Sequence, residues 1–143
     1  MFINFFSLIK ISAVILSNLF FIIALDQLYE LSRKVLKDEY LGNSKHFHAI
    51  KTVQIIFTLS AYKSALFFAI NPASIFFSAP YSESLNAMLT FSALSRFTKG
   101  FSAKSCIAVS LASATRANSI LNAGFVVYHS LKIVATEMIL FVR

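Results

Sequence analysis

The sequence has little charge, few turn-forming residues and almost no cysteine. Charged residues make up 13% of its 143 residues, and it contains three glycines, two prolines and one cysteine. With Cys106 alone, no intrachain disulfide can form. Ordinary soluble domains carry about 25% charged residues, so this chain has too little charge to cover a domain of its size with polar side chains.

Hydrophobic residues take the place of the missing charge. They account for 57% of the chain, whereas soluble proteins have roughly 45–50%. This composition predicts a single membrane-embedded domain over residues 1–143. The alternative is a soluble helical protein with an oversized apolar core that partners would have to cover.

No catalytic or ligand-binding motif can be recognised. There is no glycine-rich phosphate loop, no Cys-x-x-Cys, no His-Glu-x-x-His and no Gly-x-Ser-x-Gly. Asp38 and Glu39 are adjacent, so their side chains diverge on a helix, and His46 with His48 falls short of the three or four ligands of a zinc site. We therefore predict no enzymatic activity, no cofactor and no metal. The net charge of +7 is dispersed through apolar sequence, which favours membrane-flanking lysine and arginine over nucleic-acid binding.

The first candidate span covers residues 2–25 and contains one charge, Lys10, and no glycine or proline. A helix of this length extends about 36 Å, enough to cross a hydrocarbon core of about 30 Å. A cleaved signal peptide is the alternative. No pair of small residues at the spacing of a cleavage site follows the run, which favours a retained signal-anchor.

Residues 26–51 form a basic amphipathic loop or helix, because leucine and valine recur there at helical spacing opposite charged residues. No breaker separates this segment from the first span, so we expect one long helix that continues beyond the membrane. The second span covers residues 52–70, contains Lys63, and ends or bends at Pro72.

The next stretch is rich in serine and alanine and has no acid between Ser84 and Thr136. Residues 84–99 are too short to cross a membrane and predict an interfacial amphipathic helix. Residues 101–117 predict a helix of small residues. A ridge of small side chains at every fourth position would let another helix approach closely in lipid, although chance could also produce it in such a composition. The ridge consists of Ser102, Cys106, Ser110 and Ala114.

Residues 118–142 have the clearest helical periodicity and predict a third span. A polar stripe that includes His129 and Lys132, with Glu137 beside it, would face other helices or a wet cavity. Ionisable groups within apolar sequence are candidate functional residues, and the alternative is that the lysines lie near span ends and reach the interface. The candidates are Lys10, Lys63, His129, Lys132 and Glu137.

The distribution of basic residues predicts an orientation but leaves a conflict. Five basic residues between Asp26 and Lys51 place this segment on the cytoplasmic or matrix side, and the N-terminus on the outer side. After a second crossing, however, the next three basic residues would also lie outside, which opposes the rule. They are Arg96, Lys99 and Lys104.

Together these patterns predict an all-α integral membrane protein with two to four transmembrane helices and additional interfacial amphipathic helices. The partners are the lipid bilayer and other membrane subunits. The first functional hypothesis is a non-catalytic accessory or structural subunit that acts through helix contacts. The alternatives are a small carrier or pore subunit that uses the polar stripe, and a translated frame with no selected function.

Overall fold

The computed structural model describes the backbone of residues 2–41, 50–100 and 102–142, and every regular element in these residues is helical. The α-helices are α1 (Phe2–Leu41), α2 (Ile50–Ile70), α3 (Ile75–Ser78), α4 (Glu83–Phe97), α5 (Ala103–Thr115) and α6 (Ala123–Val142). One 3-10 helix, Pro72–Ser74, lies between α2 and α3, and a second, Ala117–Asn122, lies between α5 and α6. The all-α prediction is confirmed.

Local sequence sets where these helices begin and end. Residues 2–41 contain neither glycine nor proline, and α1 continues without a break through the charged segment after Leu25. At the end of α2, the Oδ1 atom of Asn71 accepts a hydrogen bond from the Ala73 N–H at 2.8 Å, and Pro72 begins the 3-10 helix. Gly100, at φ +115°, adopts after α4 a backbone conformation that other residues rarely take.

Side-chain contacts fix the directions of the helices. Helix α2 runs antiparallel to α1, because Phe21 of α1 meets Phe68 near the far end of α2, with ring centroids 6.0 Å apart. Helix α4 runs parallel to α1: Ser17 contacts Ser84, and further along both helices Lys34 donates to Ser95. Helix α5 returns antiparallel to α4, and α6 again runs parallel to α4.

The bundle therefore has two distinct ends. At one end lie the start of α4, the end of α5 and the second 3-10 helix; we call it the Glu83 end. At the other lie the later part of α1, the start of α2 and the end of α4; we call it the Lys37 end. Helices α2, α4 and α5 each connect the two ends.

The interior is built mainly from small side chains. Ala24 and Ala61 are fully buried on α1 and α2, and a second buried group joins α4 to α5 through Ala93, Phe97, Ala108 and Val109. Small side chains let helix backbones approach closely, which is how helices associate in lipid. Large apolar side chains instead cover the outside: Phe67 is 74% exposed and Leu121 is 79% exposed. This inversion is typical of a surface that faces lipid.

Two parts of the described chain fit the dimensions of a membrane span. Phe6–Asp38 is long and apolar enough by itself. Gln54–Ile70 and Pro72–Ser78 are long and apolar enough only when taken together, and the chain bends by 64° between them. If this bent pair is one membrane span, it is a second crossing. The bend lies at Asn71 and Pro72, where the sequence predicts that the second span ends or kinks.

Helix α4 corresponds to the interfacial helix predicted for residues 84–99, and its place relative to a membrane stays a prediction. It packs against both α1 and α5, and Ser84, Ala93, Ser95 and Phe97 are buried on it. Small residues on both sides of this helix permit the double contact. Because α4 carries the chain back to the Lys37 end, Arg96 and Lys99 lie at the same end as Lys34 and Lys37. Arg96 and Lys99 therefore do not oppose the predicted orientation, which itself stays a prediction.

Candidate functional site at the Glu83 end

Two buried serines anchor the segment that joins α2 to α4. The Oγ atom of Ser84 donates to the carbonyl oxygen of Phe77 at 2.6 Å. The Oγ atom of Ser17 lies 2.7 Å from the Ala79 carbonyl oxygen, 2.9 Å from the Phe77 carbonyl oxygen and 3.0 Å from the Ser84 Oγ. The two hydroxyl protons are shared among these contacts, so the pair of serines holds the turn that contains Phe77 and Ala79. The segment is thereby held on α1.

Aromatic rings pack beside this anchor. The ring of Phe77 stacks on that of Phe21 with centroids 5.2 Å apart, and Phe68 lies 5.1 Å from Phe77 and 5.5 Å from Phe91. These rings come from α1, α2, α3 and α4, so the four elements meet at one place. Offset and edge-on aromatic pairs contribute about 0.5–1.5 kcal/mol each beyond their buried area. The start of α4 is fixed in position as a result.

A group of polar side chains lies across this fixed start of α4. The Glu83 carboxylate forms a salt bridge with Arg116 at 2.9 Å, and both side chains are partly exposed. The Oδ1 atom of Asn86 accepts a hydrogen bond from the Ser119 hydroxyl at 2.5 Å and lies 3.3 Å from the Thr115 hydroxyl. These contacts join the first turns of α4 to the end of α5 and to the second 3-10 helix.

The same face of α4 continues with Thr90, whose Oγ1 accepts a hydrogen bond from the Asn122 amide at 3.0 Å. Glu83, Asn86 and Thr90 are three and four residues apart, so they lie in one row along the helix. We call this set the polar end cluster. It consists of Glu83, Asn86, Thr90, Thr115, Arg116, Ser119 and Asn122.

The polar end cluster combines one carboxylate, one guanidinium, two amides and three hydroxyls. Amides, hydroxyls and charged pairs are groups that hydrogen-bond to polar ligands. The Arg116 guanidinium neutralises the Glu83 charge and retains further N–H donors. Among the residues that the structure describes, no group of three His, Cys, Asp or Glu side chains could hold a metal ion.

The structure brings together three of the five ionisable residues that the sequence singles out. His129, Lys132 and Glu137 line one open groove of about 780 Å³ at the Lys37 end, with Asp38 and Phe97 among its other walls. The imidazole of His129 stacks on the Phe97 ring with centroids 5.0 Å apart. Lys10 and Lys63 are exposed on α1 and α2 and do not line this groove. A functional role for these residues stays a prediction.

The small-residue ridge lies on a different side of α5 from its buried face. Ser110 and Ala114 are exposed and Cys106 is partly buried, while Ser102 precedes the helix. The buried residues of α5 are Ser105, Ala108, Val109 and Ala112. The ridge therefore does not make the contact with α4, and its use toward another helix stays a prediction.

Glu83 and Arg116 are not among the residues that the sequence singles out. Their pairing depends on α5 running back to the start of α4, which the interfacial placement of α4 did not anticipate. One signal was available: Glu83 is the single acid between Glu39 and Glu137. An isolated acid in the first turn of a helix, next to an apolar segment, merited attention. The predicted pair His46 and His48 lies outside the described residues.

Comparison with known proteins gives a consistent result. Residues 40–142 match the model of a family described as mannosyltransferase (PIG-V). The GPI alpha-1,6-mannosyltransferase 2 of Rattus norvegicus is 30% identical over 122 residues, which are 85% of this chain and 21% of that protein. The Homo sapiens protein of the same name gives the same three figures of 30%, 85% and 21%. That of Cricetulus griseus is 38% identical over 68 residues, which are 48% of this chain and 14% of that protein.

The chain spans about a fifth of the length of the rat and human relatives. No solved structure matches it. The membrane assignment and the lipid bilayer as partner agree with the apolar helices of the fold.

These matches correct several predictions. The prediction of a non-catalytic accessory subunit and the prediction that the chain is not an enzyme are wrong, because the family and its relatives are named as mannosyltransferases. The two alternatives, a small carrier or pore subunit and a translated frame with no selected function, are abandoned for the same reason. The signal-anchor is abandoned as well, since no finding supports it. These predictions failed because no short motif in this sequence carries the chemistry.

The family match and the polar end cluster concern the same part of the chain. Every residue of the cluster lies within residues 40–142, and so do α2, α4, α5 and α6 from end to end. The matched range covers more than half of the chain, and the rat and human relatives extend the similarity to 85% of it. The chain belongs to the PIG-V mannosyltransferase family.

Proposed function

We propose that this chain forms part of a membrane-bound mannosyltransferase that adds mannose to a GPI through an α-1,6 linkage, and that the polar end cluster contacts the sugar. The observation that carries the proposal is that the match to the mannosyltransferase family contains the whole cluster. The linkage and the GPI acceptor come from the names of the relatives.

The chemistry of glycosyl transfer requires a group that accepts the proton of the attacking hydroxyl, and a carboxylate commonly does so. The chain has six acids, and four of them precede residue 40: Asp26, Glu30, Asp38 and Glu39. Within the matched range this leaves Glu83 and Glu137. Glu83 lies among hydrogen-bonding partners, whereas Glu137 is exposed on α6. We therefore assign Glu83 as the carboxylate that accepts the proton of the attacking sugar hydroxyl.

The neighbours of Glu83 provide the rest of a sugar-binding surface. Arg116 holds the carboxylate in one orientation, because a guanidinium offers donors in a fixed planar arrangement. Asn86 lies in the same row of α4, Asn122 of the second 3-10 helix bonds to Thr90 of that row, and each presents an amide. A hydroxyl held between such groups is positioned for attack, which lowers the entropic part of the barrier.

The topology that we propose is multi-pass. Phe6–Asp38 is one crossing, and the bent pair of Gln54–Ile70 and Pro72–Ser78 is a second. We assign α6 to a third crossing, in agreement with the span predicted for residues 118–142. Its residues 131–139 are all exposed and mostly apolar, as expected of a helix surrounded by lipid. The remaining length of the relatives would supply further helices and further catalytic groups.

The test is a replacement experiment. The segment of the rat relative that corresponds to this chain is exchanged for residues 1–143, and the chimera is expressed in cells that lack the relative. Incorporation of radiolabelled mannose into GPI lipids is then measured in isolated membranes. We expect activity from the chimera, and a loss of about 100-fold or more when Glu83→Gln removes the proton acceptor.

The chain contains a second carboxylate that provides a matched control for Glu83→Gln. Glu30 also pairs with an arginine, Arg33, at 3.1 Å, but at the Lys37 end. Glu30→Gln removes the same charge from a similar pair, and we expect it to leave mannose incorporation within about twofold, as for an exposed pair worth little energy. Full activity of a stably expressed Glu83→Gln chimera would show that Glu83 is not the catalytic carboxylate. An inactive but stable parent chimera would contradict the proposed function of this segment.

A further inference from the structure

A second site lies at the Lys37 end, in a groove between α1 and α2. It has a volume of about 340 Å³ and is lined by Arg33, Lys34 and Lys37 from α1, and by Gln54, Phe57 and Thr58 from α2. Three cations, an amide and a hydroxyl thus surround one small cavity. Such a set of donors, with few acceptors, favours a negatively charged ligand.

The basic groove opens into an apolar trough. A second cavity, of about 570 Å³, is lined by Tyr29, Ile55, Leu59 and Tyr62 and shares Gln54 and Thr58 with the basic groove. On α1 the step from Lys37 to Tyr29 is eight residues, or about 12 Å along the helix. The two cavities therefore follow the seam between α1 and α2 from the basic end toward the middle of the bundle.

In the described part of the chain, acids balance the charge of the groove only in part. Arg33 pairs with Glu30 at 3.1 Å through one of its nitrogens. The Lys34 ammonium donates to the hydroxyl of the buried Ser95 of α4 at 2.8 Å, and Lys34 also lines the groove. Among the described side chains, Lys34 and Lys37 have no carboxylate within 4.0 Å. The groove keeps a net positive charge.

We propose that this seam binds an anionic glycerophospholipid, with its phosphate among Arg33, Lys34 and Lys37 and an acyl chain along the trough to Tyr62. A basic groove that continues into an apolar trough matches the two parts of such a lipid, in order and in direction. Basic pockets between transmembrane helices are known to bind anionic headgroups in this way. A free phosphate would use the groove alone and would leave the trough empty.

This lipid site is separate from the proposed sugar site. Gln54 lies near the start of α2 and Asn71 just beyond its end, so the length of α2 places about 25 Å between the groove and the Glu83 end. The two sites open at opposite ends of the bundle. The lipid site therefore does not depend on the proposed mannosyltransferase function, and a failure of one proposal leaves the other unaffected.

The experiment measures lipid binding to the purified full chain in detergent by native mass spectrometry. The probes are dioleoylphosphatidylserine, dioleoylphosphatidylcholine and inorganic phosphate. We expect phosphatidylserine to bind more tightly than either of the other two. Lys37→Gln should weaken it about fivefold and the double variant Arg33→Gln with Lys37→Gln about 25-fold, given the interaction of each basic residue with an anionic lipid. Ile55→Ser should weaken phosphatidylserine and leave phosphate unaffected, because it changes the trough alone.

Lys104→Gln is the matched control, since Lys104 is exposed at the same end and lies outside both cavities. It should bind phosphatidylserine as the parent chain does, and Lys37→Arg should retain binding in a correctly folded protein. Equal losses for Lys37→Gln and Lys104→Gln would show attraction by the surface charge as a whole and would overturn the site. Phosphate binding as tight as that of phosphatidylserine, unaffected by Ile55→Ser, would overturn the lipid assignment.

Discussion

The hydrogen bond between Asn86 and Ser119 is the contact in the polar end cluster whose energy can be measured most directly. Ser119 is 5% exposed, and its hydroxyl donates to the Asn86 Oδ1 at 2.5 Å. Asn86→Ala removes the acceptor and leaves a buried hydroxyl without it. Ser119→Ala removes the hydroxyl and leaves Asn86 near Thr115. The two single variants and the double variant form a thermodynamic cycle that isolates this pair.

The expected loss of stability in each variant follows from the geometry of these contacts. Loss of a buried acceptor leaves the Ser119 donor unsatisfied, which costs about 1–3 kcal/mol, so Asn86→Ala should lower the free energy of unfolding by that amount. Thr115 adds little to this loss of stability, because its hydroxyl also lies 2.7 Å from the Ala112 carbonyl oxygen and keeps that acceptor in the variant. Ser119→Ala should cost about 1 kcal/mol. The double variant should cost less than the sum, with a coupling energy of about 0.6–1 kcal/mol in a membrane protein.

Unfolding in mixed micelles of dodecylmaltoside and SDS, followed by the helical circular dichroism signal, gives these free energies. A parallel cycle of Asn86→Ala with Ser113→Ala serves as control, because the Ser113 hydroxyl bonds to backbone carbonyls of Val109 and Ser119 and not to Asn86. We expect this second cycle to be additive within about 0.3–0.5 kcal/mol. Additivity of the Asn86 and Ser119 variants would refute the contact and, with it, the docking of the second 3-10 helix on α4.

Two further predictions concern the backbone and the packing of α5. Gly100→Ala should destabilise the protein by about 1–3 kcal/mol through backbone strain alone, since a Cβ there would meet no atom within 4 Å while φ is +115°; equal unfolding midpoints of the two proteins in the micelle assay would contradict this. Ala112→Leu should cost about 1–3 kcal/mol by overpacking a fully buried position, whereas Ala114→Leu on the exposed ridge should cost less than about 0.5 kcal/mol. The opposite order of the two leucine variants would place the ridge, rather than Ala112, against α4.

The long helix α1 could be predicted because local chemistry alone determines it. A run of forty residues without glycine or proline has no position at which a helix must stop, whether its side chains face lipid or water. The bend at Pro72 could be predicted for the same kind of reason, since the ring of proline removes a donor and fixes φ.

The position of α4 could not be predicted in this way. Its sequence, with apolar residues at helical spacing and Arg96 and Lys99 at one end, suits an interfacial helix and a central helix equally well. What distinguishes the two is the close approach of α1 and α5, which small residues such as Ala93 permit but do not require. Contacts between distant parts of the chain decided the outcome.

The candidate site was hidden for a related reason. Glu83 and Arg116 are 33 positions apart in the sequence, and no short motif joins them. His129, Lys132 and Glu137 were found because they share one helix, where spacing alone predicts a common side. Residues that meet through tertiary contacts leave no such periodic signal.

The short length of α4 has a consequence for the depth of Glu83 in a membrane. From Arg96 back to Glu83 the helix rises about 20 Å, while the hydrocarbon layer is about 30 Å thick. Where α4 lies within such a layer, its two ends cannot both reach a surface, which leaves a depth of up to about 10 Å for Glu83. Its charge is then compensated locally by Arg116 instead of by the aqueous phase. Under the proposed function, an acceptor sugar at Glu83 would then lie below the layer of headgroups, at a depth that a molecule anchored in the same leaflet reaches readily.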